Sequence, residues 1–137
     1  MAKIRSKDTK PEEYICKKLY ENGYRYRKNY AKITGHPDVW LGKYNTAIFV
    51  NGCYWHRHQG CKYAYAPKSK VDFWEEKFRK NIERDETVKR ELAGCGIKIL
   101  IIWECTIKKM YRSGEFESIV LANIDSFLSD EEWYLEL

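Results

Sequence analysis

Apolar positions along the chain change their period several times, and each change marks an element. Ile15, Leu19 and Cys16 recur on one helical face between Lys10 and Asn22. Thr9-Lys10-Pro11-Glu12 ahead of them has the form of a capping box with proline in the first turn, and Gly23 follows as a stop. A first helix is therefore predicted over 10–22. Alternation at Tyr24–Arg27 predicts a strand, and Gly35-His36-Pro37 a loop. Asp38–Leu41 and Thr46–Val50 flank Gly42-Lys43-Tyr44-Asn45 and read as a β-hairpin. Residues 51–68 mix Gly, His, Cys and Pro and predict irregular chain. A long helix is predicted over 72–93, ending before Gly94, with Phe73, Phe78, Ile82, Val88 and Leu92 on its apolar side. Ile97–Trp103 is a nearly unbroken apolar run rich in β-branched residues, the pattern of a strand buried on both faces. A last helix is predicted over 116–128, with Ile119, Val120, Ile124 and Phe127 inward. The order α-β-β-β-α-β-α predicts an α/β fold, a mixed β-sheet flanked by helices.

Composition narrows the class. With 137 residues, 44% of them hydrophobic, the chain is expected to form a single domain over 1–137 and not to be disordered. No apolar run approaches the length of a membrane-spanning helix. The opening MAKIRSKDTKPEE lacks the apolar stretch of a signal peptide, so a cytoplasmic protein is expected. In a reducing compartment the five cysteines read as metal ligands or buried thiols rather than disulfides.

The net charge of +5 is unevenly spread. Residues 1–62 carry 13 Lys/Arg against 5 Asp/Glu, whereas residues 63–137 carry 12 against 15. The basic half interleaves tyrosines with cations, as in Tyr24-Arg25-Tyr26-Arg27-Lys28. Such a stretch suits a nucleic acid, because cations neutralise phosphates while aromatic faces stack on bases. An edge strand with tyrosines inward gives the same pattern. No amphipathic basic helix points to a membrane surface. Residues 114–137 hold seven acids and no base. Their stretch Asp130-Glu131-Glu132-Trp133 reads as a solvated end, with a partner site as the alternative.

Two constellations carry chemistry. Cys53, His56, His58 and Cys61 fall within nine residues, and Cys105 follows the buried strand. Zinc needs four nitrogen or sulfur ligands at tetrahedral corners. A short irregular loop can supply three, and a strand end the fourth. Cys53, His58, Cys61 and Cys105 make the best set, although spacing alone does not choose between His56 and His58. Cys16 and Cys95 read as small core residues. The second constellation is Asp38, which opens one hairpin strand, facing the end of the other at Val50-Asn51-Gly52. A carboxylate beside a main-chain carbonyl can hold a hard divalent cation such as Mg²⁺, an arrangement suited to phosphodiester hydrolysis. Alone, Asp38 reads equally as a turn residue, Glu12 as a capping residue and Asp85 as a polar helix position.

Taken together, Pro37-Asp38, Ile48-Phe49-Val50-Asn51-Gly52-Cys53-Tyr54-Trp55-His56-Arg57-His58, Phe73-Trp74-Glu75-Glu76-Lys77, Asn81-Ile82-Glu83-Arg84-Asp85 and Leu100-Ile101-Ile102-Trp103-Glu104-Cys105 resemble the very short patch repair endonucleases. Those enzymes nick double-stranded DNA at mismatches, and the likeness runs from about Asp8 to Cys105. The resemblance implies a restriction-endonuclease-like fold, a structural zinc and Mg²⁺-dependent cleavage by a monomer. It implies Asp38 and the backbone carbonyl of Val50 as Mg²⁺ ligands, and His56 as the catalytic histidine oriented by Asp85. Glu12 falls at an acidic position near the ion's waters. Cys53, His58, Cys61 and Cys105 match the zinc ligands. Tyr54, Trp55 and Trp74 match aromatic wedges, with Lys77 and Asn81 beside them as DNA contacts. The sequence departs from the family at Asn51, where the best-known members have a second active-site histidine. An asparagine can hydrogen-bond water or phosphate but does not supply a proton near neutral pH. The N-terminal arm, which the family uses to clamp DNA, is short. Two rival readings are a zinc-stabilised DNA-binding module without catalysis and a same-fold nuclease with another DNA target.

Overall fold

The computed structural model describes residues 9–137, so the N-terminal arm lies outside the described residues. Helix α1 spans Lys10–Glu21 and has the predicted capping box in full: Thr9 and Glu12 each receive the other's backbone N–H. Ile15, Cys16 and Leu19 are its buried stripe, with Glu12 beneath the first turn. A two-residue strand β1 (Arg27–Lys28) follows, later and shorter than predicted. Strands β2 (Val39–Leu41) and β3 (Thr46–Asn51) form the predicted hairpin, turned by one short 3₁₀ turn at Gly42–Tyr44. Helix α2 spans Val71–Gly94 and carries the chain across to β4 (Lys98–Trp103), which pairs parallel to β3.

The sheet order is β1-β2-β3-β4-β5, antiparallel over its first three strands and parallel over the rest. It is the mixed sheet flanked by helices that the periodicity predicts. Alternate residues of the central strands feed two cores. Val39, Leu41, Ile48, Leu100 and Ile102 meet α1, α3 and α4 on one face. Ala47, Phe49, Ile99 and Ile101 meet Val88 and Leu92 of α2 on the other. This two-sided burial explains the continuous apolar run of β4.

Further elements differ from expectation. Helix α3 (Glu104–Arg112) has no predicted counterpart, because its one turn of apolar spacing, Ile107 and Met110, is too short to declare a period. Helix α4 (Gly114–Ser129) begins at the Ser113 cap, whose hydroxyl accepts the Phe116 N–H. The acidic stretch 130–133 is exposed, as expected of a solvated segment. Beyond it, Tyr134–Glu136 form β5 against β4, while Leu135 and Leu137 pack on the core. Ile119, expected inward, is 53% exposed, and Cys95 is exposed rather than a core residue.

Helix α2 departs most from a simple amphipathic helix. Of its 24 residues only Phe78 and Leu92 are buried, and Phe73 and Ile82 are exposed. The helix is moored near both ends and bridges open space between, so its middle turns do not rest on the sheet. That space is the cleft described next.

Candidate active site and metal centre

The cleft has a volume of about 1020 Å³ and opens at the C-terminal end of β3. Sheet, α1 and α2 each supply part of its wall. Gly35 lets the loop before β2 close against α2: at φ +86, a Cβ there would stand 2.4 Å from a Val88 methyl. Only glycine tolerates both conditions.

Asp38 immediately precedes β2, and its carboxylate accepts the Val50 N–H at 2.7 Å. Continuing the β2–β3 register one step at a time from Val39↔Ile48 sets Pro37 opposite Val50. Proline has no N–H, so the Asp38 side chain takes the place of a ladder partner. Within an extended strand a residue's N–H and C=O face the same side. The Val50 carbonyl therefore also faces Asp38, where Pro37 offers it no donor. Glu12, only 5% exposed, sets its carboxyl against Asp38 from the first turn of α1. Burial, together with the Glu12 carboxyl and against the Val50 N–H, pushes Asp38 up to about 8. Two desolvated carboxyls in contact need either a shared proton or a cation between them. With the carbonyl they make an all-oxygen donor set that fits a hard divalent ion.

Across the same cleft His56 is held at the tip of a turn, its N–H donating to Gly52 O at 3.1 Å. Its Nδ1 lies 2.6 Å from the Asp85 carboxylate of α2. That contact puts the proton of the neutral ring on Nδ1 and leaves Nε2 as an acceptor. Asn51, the last residue of β3, is 8% exposed and lines the cleft between the two groups.

The second histidine of the motif goes elsewhere. Cys53, His58, Cys61 and Cys105 bring their ligand atoms within 4.8 Å of one another. The Cys105 Sγ lies 3.4 Å from His58 Nδ1, and the Cys105 N–H donates to the Cys53 Sγ at 3.3 Å. Sequence spacing leaves the two imidazoles open; the geometry separates them, one facing the cleft and one facing three thiols. Burial pushes the Cys53 thiol up to about 12. Three sulfurs and one imidazole nitrogen suit a tetrahedral, borderline-soft metal. The His58 ring stacks on Trp103 at 4.0 Å and 5°, and the Trp103 indole donates to Glu136 of β5 at 2.6 Å.

Tyr54, Trp55 and Trp74 come together at one lip of the cleft, with centroids 5.3–6.1 Å apart. Their floor is Phe78, over which the Arg57 guanidinium lies at 4.1 Å while it bonds the Tyr54 and Ala64 carbonyls. Asn81 donates to Trp55 O at 3.1 Å, so its side-chain amide braces this lip. Lys77 is exposed on the cleft wall. Sequence reasoning passes over Arg57, His36 and Arg84, the last two also lining the cleft. For Arg84 a signal exists: it stands seven residues after Lys77, on the same helical face.

Comparison with known proteins gives the family. The family model described as DNA mismatch endonuclease Vsr matches residues 1–62. The type II nicking enzyme V.NmeAIP of Neisseria meningitidis is 47% identical over 108 residues, covering 79% of this chain and 76% of that protein. The type II nicking enzyme V.XorIIP of Xanthomonas oryzae is 34% identical, covering 80% of each chain. The DNA mismatch endonuclease Vsr of Escherichia coli is 35% identical, covering 79% of this chain and 69% of that protein. On that identity and coverage the chain belongs to the Vsr DNA mismatch endonuclease family and is a DNA endonuclease.

Proposed function

We propose that the protein nicks one strand of duplex DNA at or next to a T·G mismatch in an Mg²⁺-dependent reaction, within very short patch mismatch repair. The observation that carries this reading is the meeting of Asp38, Glu12 and Val50 with the His56–Asp85 pair across one cleft. Asp38 and the Val50 carbonyl would hold Mg²⁺. When bound, the ion supplies charge neutralisation at the scissile phosphate and lowers the pKa of water. Glu12 orients water from the floor of the cleft. Asp85 holds the imidazole with Nε2 toward the reacting centre, where it takes up the proton released as water attacks phosphorus. The P–O3′ bond breaks and the 3′ oxygen takes a proton from solvent water, leaving 5′-phosphate and 3′-hydroxyl ends. Asn51 hydrogen-bonds the phosphate or water without donating a proton to the leaving oxygen.

Tyr54, Trp55 and Trp74 act as the wedge that unstacks the duplex beside the mismatch, with Lys77 on the phosphates and Asn81 bracing the lip. The cluster Cys53, His58, Cys61 and Cys105 holds a structural zinc, which fixes the loop that carries Tyr54, Trp55 and His56. A same-fold nuclease with another target is the second reading, supported by relatives named as type II nicking enzymes rather than by their mismatch. A nicking assay separates them: purified protein with Mg²⁺, on duplexes identical except for T·G against matched pairs. Preferential nicking of the T·G duplex, lost in Asp38→Ala, is expected. Equal cleavage of both duplexes would reject mismatch specificity, and full activity in Asp38→Ala would reject the ion site.

A further inference from the structure

Helix α2 treats its cations differently on its two faces. Outward, Arg79 is clasped by Glu76 at 2.5 Å and Glu83 at 2.6 Å, and Lys80 lies 3.9 Å from Glu76. Toward the cleft the pattern changes. The positions one helical turn from Arg84 are Lys80, Asn81, Thr87 and Val88, none of them acidic, so the helix supplies no intrahelical partner. The neighbouring polar groups are committed, Asn81 to Trp55 and Asp85 to His56. Of the other cations on this wall, Lys89 packs over Tyr134 and Lys77 over Phe73. Among the described residues Arg84 alone of these has no ion pair, hydrogen bond or ring contact, and it lines the cleft one residue from the carboxylate that holds His56.

We infer that Arg84 is a positioning residue: its guanidinium binds the non-bridging oxygens of a backbone phosphate flanking the scissile one. A planar fork of donors matches a phosphate in two parallel hydrogen bonds, which an ammonium does not. The helix rise sets Lys77 and Arg84 about 10 Å apart along α2, the axial rise of roughly three nucleotides of one strand. Two such fixed points bracket the strand and hold it across the cleft. This assignment rests on the proposed reading of the cleft as the cleavage site.

The test pairs Arg84→Gln with duplex DNA in which single phosphates are replaced by neutral methylphosphonates. Binding is measured in Mg²⁺-free buffer across a range of salt. The slope of log K against log salt is expected to fall by about 0.9, one phosphate contact, and affinity at fixed salt by roughly tenfold. One methylphosphonate position should weaken wild-type protein and leave Arg84→Gln unaffected. In steady-state nicking the loss falls on KM rather than kcat, and Arg84→Lys recovers the salt slope but not the full affinity. Arg79→Gln, on the outward face, is the control and should keep the wild-type slope. An unchanged slope in Arg84→Gln, or a sensitivity to every methylphosphonate identical to wild type, overturns the assignment. So does a displaced pH–rate profile at unchanged slope, which would make Arg84 a modifier of the Asp85–His56 pair. Because binding to any duplex is read separately from nicking, a wild-type protein that binds but does not nick refutes the proposed function and leaves this result standing.

Discussion

Asp38→Asn should inactivate the enzyme and make the protein more stable in the absence of Mg²⁺. In the folded chain burial and Glu12 push this carboxyl from an ordinary value of 3.8 up to about 8, so it keeps a proton that the unfolded chain gives up. At pH 7 that difference costs about 4 kcal/mol of folding free energy. An asparagine in its place accepts the Val50 N–H through its oxygen and donates to Glu12 through its amide, with no proton required. For a chain of this size each kcal/mol shifts Tm by about 3 °C, so a gain near 10 °C is expected. The sign follows from linkage: an acid whose folded pKa lies above its unfolded one makes stability fall as pH rises, here from about 4 to about 8. The Tm gap between variant and wild type should therefore widen from pH 5 to pH 8. Scanning calorimetry in Mg²⁺-free buffer without chelator reads it, since a chelator would also take an ion held by Cys53, His58, Cys61 and Cys105. Added Mg²⁺ should then raise the wild-type Tm, more at pH 8 than at pH 6, and leave the variant unmoved. A variant no more stable than wild type, or one whose advantage does not depend on pH, would refute the desolvated-carboxyl account.

Three further outcomes follow from the geometry. Elemental analysis should find about one zinc per chain in wild type and none in Cys105→Ser, which should also fail to melt cooperatively, because a structural metal contributes its binding free energy to folding. Asp85→Asn should lower the nicking rate about 10²- to 10⁴-fold with the melting temperature nearly unchanged, since it removes the group that sets the His56 tautomer on an exposed helix face. Glu136→Leu leaves the Trp103 indole N–H without its acceptor and frees the ring stacked on His58; zinc release to a colorimetric chelator should accelerate several-fold while Mg²⁺ affinity stays unchanged.

Local chemistry was legible wherever neighbours in sequence are neighbours in space. The α1 capping box, the hairpin around Gly42–Asn45 and the doubly buried β4 follow from spacing alone. What spacing could not carry was contact between distant segments. Phe73 and Ile82 look like core residues on a helical wheel, yet both are exposed, because only Phe78 and Leu92 of α2 are buried. The strand β5 was hidden because three residues rarely declare a period, and its pairing with β4 depends on a return of the chain after α4. His56 and His58 were indistinguishable by spacing. The turn between them, with Arg57 at φ +52, sends one ring to Asp85 and the other to Cys105. Asn81 matched a DNA-contacting position by resemblance, and its bond to the Trp55 carbonyl adds a brace that only coordinates reveal.

The parallel pairing of β3 with β4 has a practical consequence at the bench. Val50 and Asn51 end one of these strands two residues before Cys53, and Cys105 follows the other. An ion lost from the sulfur-rich centre would release the turn bearing His56 and loosen the strand end beside Asp38. Inactivation by EDTA would then merge two separate injuries into a single curve. Recovery with magnesium salts alone, compared with recovery after zinc is returned first, would tell them apart.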